Sequence, residues 1–174
     1  MNSSSMAALL DKPIVSRIRR NHGLEHATLH LLAQRYPARG FSGHSDTGGF
    51  WIVGDASREE VNDSVQDALF RMRAGEKNLA VHPNCGTNFV TSGLLAGLAG
   101  FVAFVGGKQR LRDKLERLPL AATLSILALI LARPLGLQLQ RKVTTSGDPG
   151  GMQIVSITSN QRGRWMAHRI RTTG

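Results

Sequence analysis

The chain has 174 residues and a formal net charge of +10, with a sequence pI near 11.2. That length fits one ordinary domain, or a small domain plus a membrane segment, and the cationic excess suits an anionic partner such as lipid head groups or nucleic acid. The single cysteine, Cys85, excludes an intramolecular disulfide framework, and an aromatic content of 5% disfavours a base-stacking surface for single-stranded nucleic acid.

Residues 1–12 read as a flexible tail. The apolar run from Met6 to Leu10 is too short for a secretory signal and is followed by Asp11 and Lys12, so no cleaved export segment is expected. From Pro13 to Tyr36 the pattern is helical, with Leu24, Ala27, Leu29, Leu31 and Leu32 giving a broad apolar surface. Pro37 makes Tyr36 a poor helical residue and closes the element. Gly23 weakens the helix and would permit a break near Asn21 and His22. A glycine-rich loop, Gly43-His-Ser-Asp-Thr-Gly-Gly49, leads into a strand, Phe50-Trp-Ile-Val53. Ser57 opens a second helix: it has capping-box spacing to Glu60, Val61, Val65, Ala68, Leu69 and Met72 trace one face, and Gly75 is the stop. Leu79-Ala-Val81 reads as a short strand that ends at His82-Pro83.

After Asn88 the composition changes. Phe89 to Gly107 is nineteen residues without a charge, a length that as helix spans roughly 28 Å, close to the hydrocarbon core of a bilayer. Gly93, Gly97 and Gly100 supply small residues at the spacing that lets membrane helices approach closely, and Gly93 and Gly97 suggest self-association. Beyond a basic loop, Lys108 to Arg117, a second uncharged run goes from Leu118 to Ala132, continued by Leu135, Leu137 and Leu139 if Arg133 snorkels to the interface. Residues 141–174 return to strands: Val143 to Thr145, Met152 to Thr158, and Arg164 to Thr172, the last too mixed to assign a buried face.

The expected fold is therefore α+β, a small soluble domain of helices and short strands drawn from both ends of the chain, plus a two-helix transmembrane hairpin. Residues 13–88 form the α/β soluble part, 89–139 the hairpin (spans about 89–107 and 118–139), and 140–174 a β-rich basic segment packing on the soluble part, because neither flank alone holds enough apolar surface for a core. Basic residues divide evenly between the two sides of the hairpin, so the positive-inside rule gives no orientation. Without an export signal both termini are placed in the cytoplasm, which makes the expectation a multi-pass protein of the bacterial inner membrane.

Two clusters carry chemistry. His22, Glu25 and His26 are three and four residues apart, so a helix puts them towards one side. Two imidazoles one turn apart suit a transition metal, zinc foremost. The second cluster is His82-Pro-Asn-Cys85, whose His-x-x-Cys spacing lets a tight turn offer two more ligands, Cys85 as thiolate. Four protein ligands, His22, His26, His82 and Cys85, would close a structural site. Three plus water would leave an open one, in which Glu25 is the candidate catalytic residue, a general base on the metal-bound water. The order His-x-x-Glu-His resembles the inverted zinc-protease motif. That family takes a further glutamate ligand from downstream, and Glu59, Glu60, Glu76 and Glu116 are poorly placed for it, so only the local geometry carries over.

Asn21-His-Gly-Leu-Glu-His-Ala-Thr28, Gly48-Gly-Phe-Trp-Ile-Val-Gly-Asp55 and His82-Pro-Asn-Cys-Gly-Thr-Asn88, followed by a Gly/Ala-rich apolar stretch, together resemble an uncharacterised bacterial family of small membrane proteins. The resemblance runs to about residue 135 and implies a membrane architecture without assigning a reaction. Two functions are compatible with the sequence. One is a membrane-embedded zinc hydrolase, such as a peptidase, acting at the bilayer surface. The other is a non-catalytic membrane-anchored structural or interaction protein with a structural metal or none. Expected partners are the lipid bilayer and anionic lipids, with nucleic acid disfavoured because lipid explains the basic C-terminal stretch more simply.

Overall fold

A computed structural model describes residues 3–106 and 110–174. The chain divides into two units, Met1–His82 with Arg141–Gly174, and Pro83–Gln140.

In the first unit, helix α1 (Ser3–Leu10) precedes helix α2 (Pro13–Arg35). Pro13 occupies the first turn of α2, where its missing N–H costs nothing and its fixed φ is already helical. Leu24, Ala27, Leu31 and Leu32 on α2 are buried. The helix runs unbroken through Gly23, and the reason lies outside it. A Cβ at Gly23 would overlap the carbonyl oxygen of Ser146, and Ser146 N donates to Arg19 O at 2.9 Å. The glycine is a contact point for returning chain, not a break.

Strands β1 (Phe41–Asp46) and β2 (Gly49–Gly54) join β3 (Gln153–Arg162) and β4 (Trp165–Thr173) in a four-stranded sheet of order β1-β2-β4-β3. Every neighbouring pair is antiparallel. The first hairpin turns where Asp46 Oδ1 accepts from Gly48 N at 2.7 Å. Gly49 follows at φ 138°, with the carbonyl of Ile170 where a Cβ would stand, so only glycine fits. Strand alternation sends Phe50, Ile52, Ile157 and Ile170 into the core, where they meet α2 and helix α3 (Arg58–Arg73). The capping box on α3 is complete: Glu60 N donates to Ser57 Oγ at 3.1 Å, and Ser57 N donates to Glu60 Oε2 at 2.7 Å.

Two expected strands are not strands. Lys77–Ala80, overlapping the expected Leu79–Val81, is a 3₁₀ turn, and Gln140–Thr144, overlapping Val143–Thr145, is a π-helical turn. The Arg164–Thr172 strand is β4, and its buried face is now defined by His168, Ile170 and Thr172.

The second unit holds helices α4 (Gly86–Val102), α5 (Leu111–Glu116) and α6 (Leu118–Leu139). It corrects the expected two-helix transmembrane hairpin. The uncharged run from Phe89 does not stay helical to Gly107: α4 ends at Val102 after 17 residues, about 25 Å of helix against the roughly 30 Å of a hydrocarbon core. Gly107 and Lys108 lie outside the described residues. Among the described residues one helical run, Leu111–Thr144, is long and apolar enough to cross a membrane. The expectation of a multi-pass inner-membrane protein falls with the hairpin.

Helices α4 and α6 pack on each other through polar contacts set among apolar side chains. Ser125 Oγ donates to Ala96 O at 3.0 Å, and Gly100 leaves room for that serine. Arg117 Nη1 donates to Ala103 O at 2.9 Å at the end of α4. Near the opposite end, Gln140 Nε2 donates to Asn88 Oδ1 at 2.8 Å, while Asn88 Nδ2 donates to Pro83 O at 2.7 Å. A Cβ at Gly136 would overlap the Asn88 amide, so that glycine admits the network. Apart from the adjoining backbone of α4 itself, no described atom comes within 4 Å of a Cβ built on Gly93 or Gly97.

Candidate metal centre

Helix α2 presents His22 and His26 one turn apart, with ring centroids 4.3 Å apart. Each imidazole is oriented by a backbone carbonyl. His22 Nδ1 is 3.0 Å from Thr144 O and His26 Nδ1 is 2.8 Å from Ala80 O. A carbonyl only accepts, so Nδ1 carries the proton in both rings. Fixing the tautomer through a carbonyl in this way is the usual outer support of a metal-ligating histidine. The carbonyls come from the two turns that replaced the expected strands.

Cys85 caps the N-terminus of α4, its Sγ accepting from Thr87 N at 3.4 Å. A cysteine binds metal as its thiolate. The ligand atoms of His22, His26 and Cys85 all lie within 4.8 Å of one another. His26 and Cys85 are buried and His22 is half-buried. This cluster can coordinate one metal ion.

His82 and Glu25 stand differently. The His82 ring is 5.7 Å from His26 and 4.6 Å from His30, centroid to centroid. Burial, with His30 beside it, lowers the His82 pKa to about 4, so the ring is neutral near pH 7. Glu25 is buried at 4% exposure. Its carboxylate lies against Gly43 of β1, where a Cβ would overlap an oxygen. Helical geometry explains this. Residue 25 sits about 100° from residue 26 around the axis, so the glutamate turns towards the sheet.

These placements correct the expected membrane-embedded metal hydrolase. The three-donor cluster is largely buried, and Glu25 is packed against a strand and is not one of its members. One surface hollow, about 470 Å³, is lined by His30, Gln34, Arg71, Glu76 and neighbours, none of them a member of the cluster. One membrane-length helix among the described residues replaces the two on which the embedded site depended.

Sequence reasoning also missed residues. Asn21 is fully buried; its Nδ2 donates to Asp46 O at 2.8 Å and its Oδ1 accepts from Thr172 Oγ1 at 2.6 Å, joining α2 to β1 and β4. His168 is also fully buried. Its Nε2 donates to Ala56 O at 3.0 Å and its Nδ1 accepts from Ser159 Oγ at 2.8 Å. Burial lowers its pKa, partly opposed by the Ala56 carbonyl, and keeps it a neutral strut. Its place opposite a serine in the β3–β4 register is the only sequence hint, and it needs the register to be known.

The chain belongs to the family described as domain of unknown function DUF6391, whose model matches residues 17–157. It is similar to an uncharacterized protein of Picosynechococcus sp., 39% identical over 139 residues. That match covers 74% of this chain and 66% of the relative, so the chain spans just under two thirds of the relative's length. No solved structure gives a significant match. The resemblance to an uncharacterised bacterial family is met by these findings, and neither description names a reaction.

Proposed function

We propose that this protein is a non-catalytic, membrane-anchored module in which His22, His26 and Cys85 hold a structural metal ion, zinc by its donor chemistry. The observation that carries the reading is the convergence of two carbonyl-oriented imidazoles and one helix-capping thiol. With Nδ1 of each ring donating to the backbone, coordination is through Nε2. Mixed nitrogen and sulfur donors suit zinc in a tetrahedral site, where ligand atoms stand about 3.3–3.8 Å apart, so closing on the ion takes shifts of about 1 Å. His82, neutral and beside His26, is the fourth ligand that closes the site. The metal then fixes the turn carrying His82 and Cys85 onto α2. The anchor is α6, 22 residues long and thus about 33 Å of helix. Glu25 is a packing residue in this reading, not a base.

Protein purified without chelators should contain about one zinc per chain, consistent with a single closed site. Metal analysis by mass spectrometry should find it lost from His26→Gln and Cys85→Ser, and retained in Glu25→Gln. Wild-type protein without stoichiometric metal of any kind would overturn the structural site.

A further inference from the structure

We infer that the outward face of the sheet docks on anionic phospholipid head groups through two arginine–tryptophan stacks. The inference rests on the membrane-anchor reading above, which brings the chain to a bilayer, and it adds where the first unit meets lipid. Strand alternation decides which residues share this face. Trp51 of β2 is opposite Arg169 of β4, and Trp165 of β4 is opposite Arg162 of β3. The face thus carries both of the chain's two tryptophans. The core residues of the same strands, Phe50, Ile52, Ile157 and Ile170, point the other way into the cluster shared with α2 and α3.

Each indole is already layered with a guanidinium. The Arg164 Cζ lies 4.6 Å from the Trp165 ring centroid and the Arg169 Cζ lies 5.4 Å from that of Trp51. Asp46 is paired with Arg169 at 2.8 Å, which holds its carboxyl below the usual range. Arg162, Arg164 and Arg171 are exposed and have no acidic partner among the described residues. The surface is therefore cationic where it is accessible, and charge complementarity selects an anion.

The choice between phosphate-bearing partners follows from the stacks. A nucleobase binds by lying on an open ring face, and here arginines lie over both indoles. A guanidinium layered on an indole suits the interfacial zone of a bilayer, where the fork binds phosphate and the indole sits at head-group depth. The basic C-terminal stretch thereby acquires a geometry: a flat face closed at one end by the Gly163–Arg164 turn.

The test uses the full chain, purified in mild detergent and diluted onto vesicles of phosphatidylcholine alone or with one third phosphatidylglycerol. Because both tryptophans lie on this face, their fluorescence reports it directly. Phosphatidylglycerol brominated near the head group should quench the emission at least twofold more than brominated phosphatidylcholine does, as anionic lipid recruits the basic face. The triple variant R162Q/R164Q/R171Q, which keeps the Arg169–Asp46 pair, should lose that difference while still floating with both vesicles. Co-flotation with neutral vesicles reads the anchor separately. Flotation with anionic vesicles only, with quenching, would remove the anchor and leave the sheet inference standing. Flotation with both but equal quenching would overturn the sheet inference alone, and flotation with neither overturns both. Quenching by a single-stranded oligonucleotide without any lipid difference would also overturn it, reassigning the face to nucleic acid.

Discussion

The two units place their large apolar side chains differently. In the first, Leu24, Leu32, Phe50 and Ile170 are inside, and the buried polar residues Asn21, Thr28 and His168 are all hydrogen-bonded. In the second, Phe89, Val90, Leu94, Phe101, Ile130 and Leu131 are each more than 60% exposed, while the buried Asn88 and Gln140 bond each other in the interior. Water stabilises the first by excluding its hydrocarbon. In the second, α4 and α6 are joined by close packing and by hydrogen bonds such as Ser125 Oγ on Ala96 O. The first unit thus closes on large apolar side chains, while the second closes on small residues such as Ala121 and Ala132 together with the Asn88–Gln140 pair.

The contrast can be broken most forcefully at α6. Ile126 and Ile130 are 58% and 65% exposed. Replacing both with lysine costs about 2.5–3.5 kcal/mol for each charge at the centre of a span, so the variant should leave the membrane pellet after carbonate washing. Unchanged pelleting would mean that α6 is no anchor. A matched pair of truncations comes next. Leu32→Ala, at a position with no exposure, should destabilise the first unit by about 2–5 kcal/mol in denaturant unfolding. Leu131→Ala, at 66% exposure, should change detergent-solubilised protein by less than about 0.5 kcal/mol.

Glycines sharpen the comparison at smaller magnitude. Gly43→Ala forces a methyl into the Glu25 carboxylate and should cost about 1–3 kcal/mol. Gly97→Ala meets open space and should be neutral or stabilise its helix by up to about 1 kcal/mol. Thermal unfolding followed by circular dichroism would rank the two. A modest effect is expected at Ser57→Ala, which removes half of the capping box on α3 and should cost about 1 kcal/mol, visible in the first unit's transition only.

What could be read from the sequence was what is decided locally. The stop at Tyr36-Pro37, the Ser57–Glu60 box and the apolar face of α3 each depend on residues within one or two turns. The two misread strands failed for one shared reason. Their carbonyls do not join a ladder but serve side chains of α2: Ala80 accepts from His26, Val81 from His30, Thr144 from His22 and Thr145 from Arg19. Val, Leu and Thr in those turns look like strand formers because nothing nearby shows that a distant helix has claimed the backbone. The same contacts fix the candidate site. The histidine spacing and Cys85 were legible; which ring nitrogen is tied to the backbone, and that Glu25 turns to Gly43, were not. The apolar run from Phe89 misled for a different reason: lack of charge was read as helix length, and the helix stops at Val102.

The position of β4 has a consequence for how the chain is made. It lies between β2 and β3, yet it follows both of them in the chain. Until residues 165–173 leave the ribosome, β2 has a partner on one side only, and Phe50, Ile52 and the inner face of α2 lack Ile170 across from them. By then α6, which precedes both β3 and β4 in the chain, has already been made. The apolar helix is therefore complete while the core of the first unit is still open. A chain released early, before β4, would present β2 as a bare edge and should be the form that proteases and aggregation remove first.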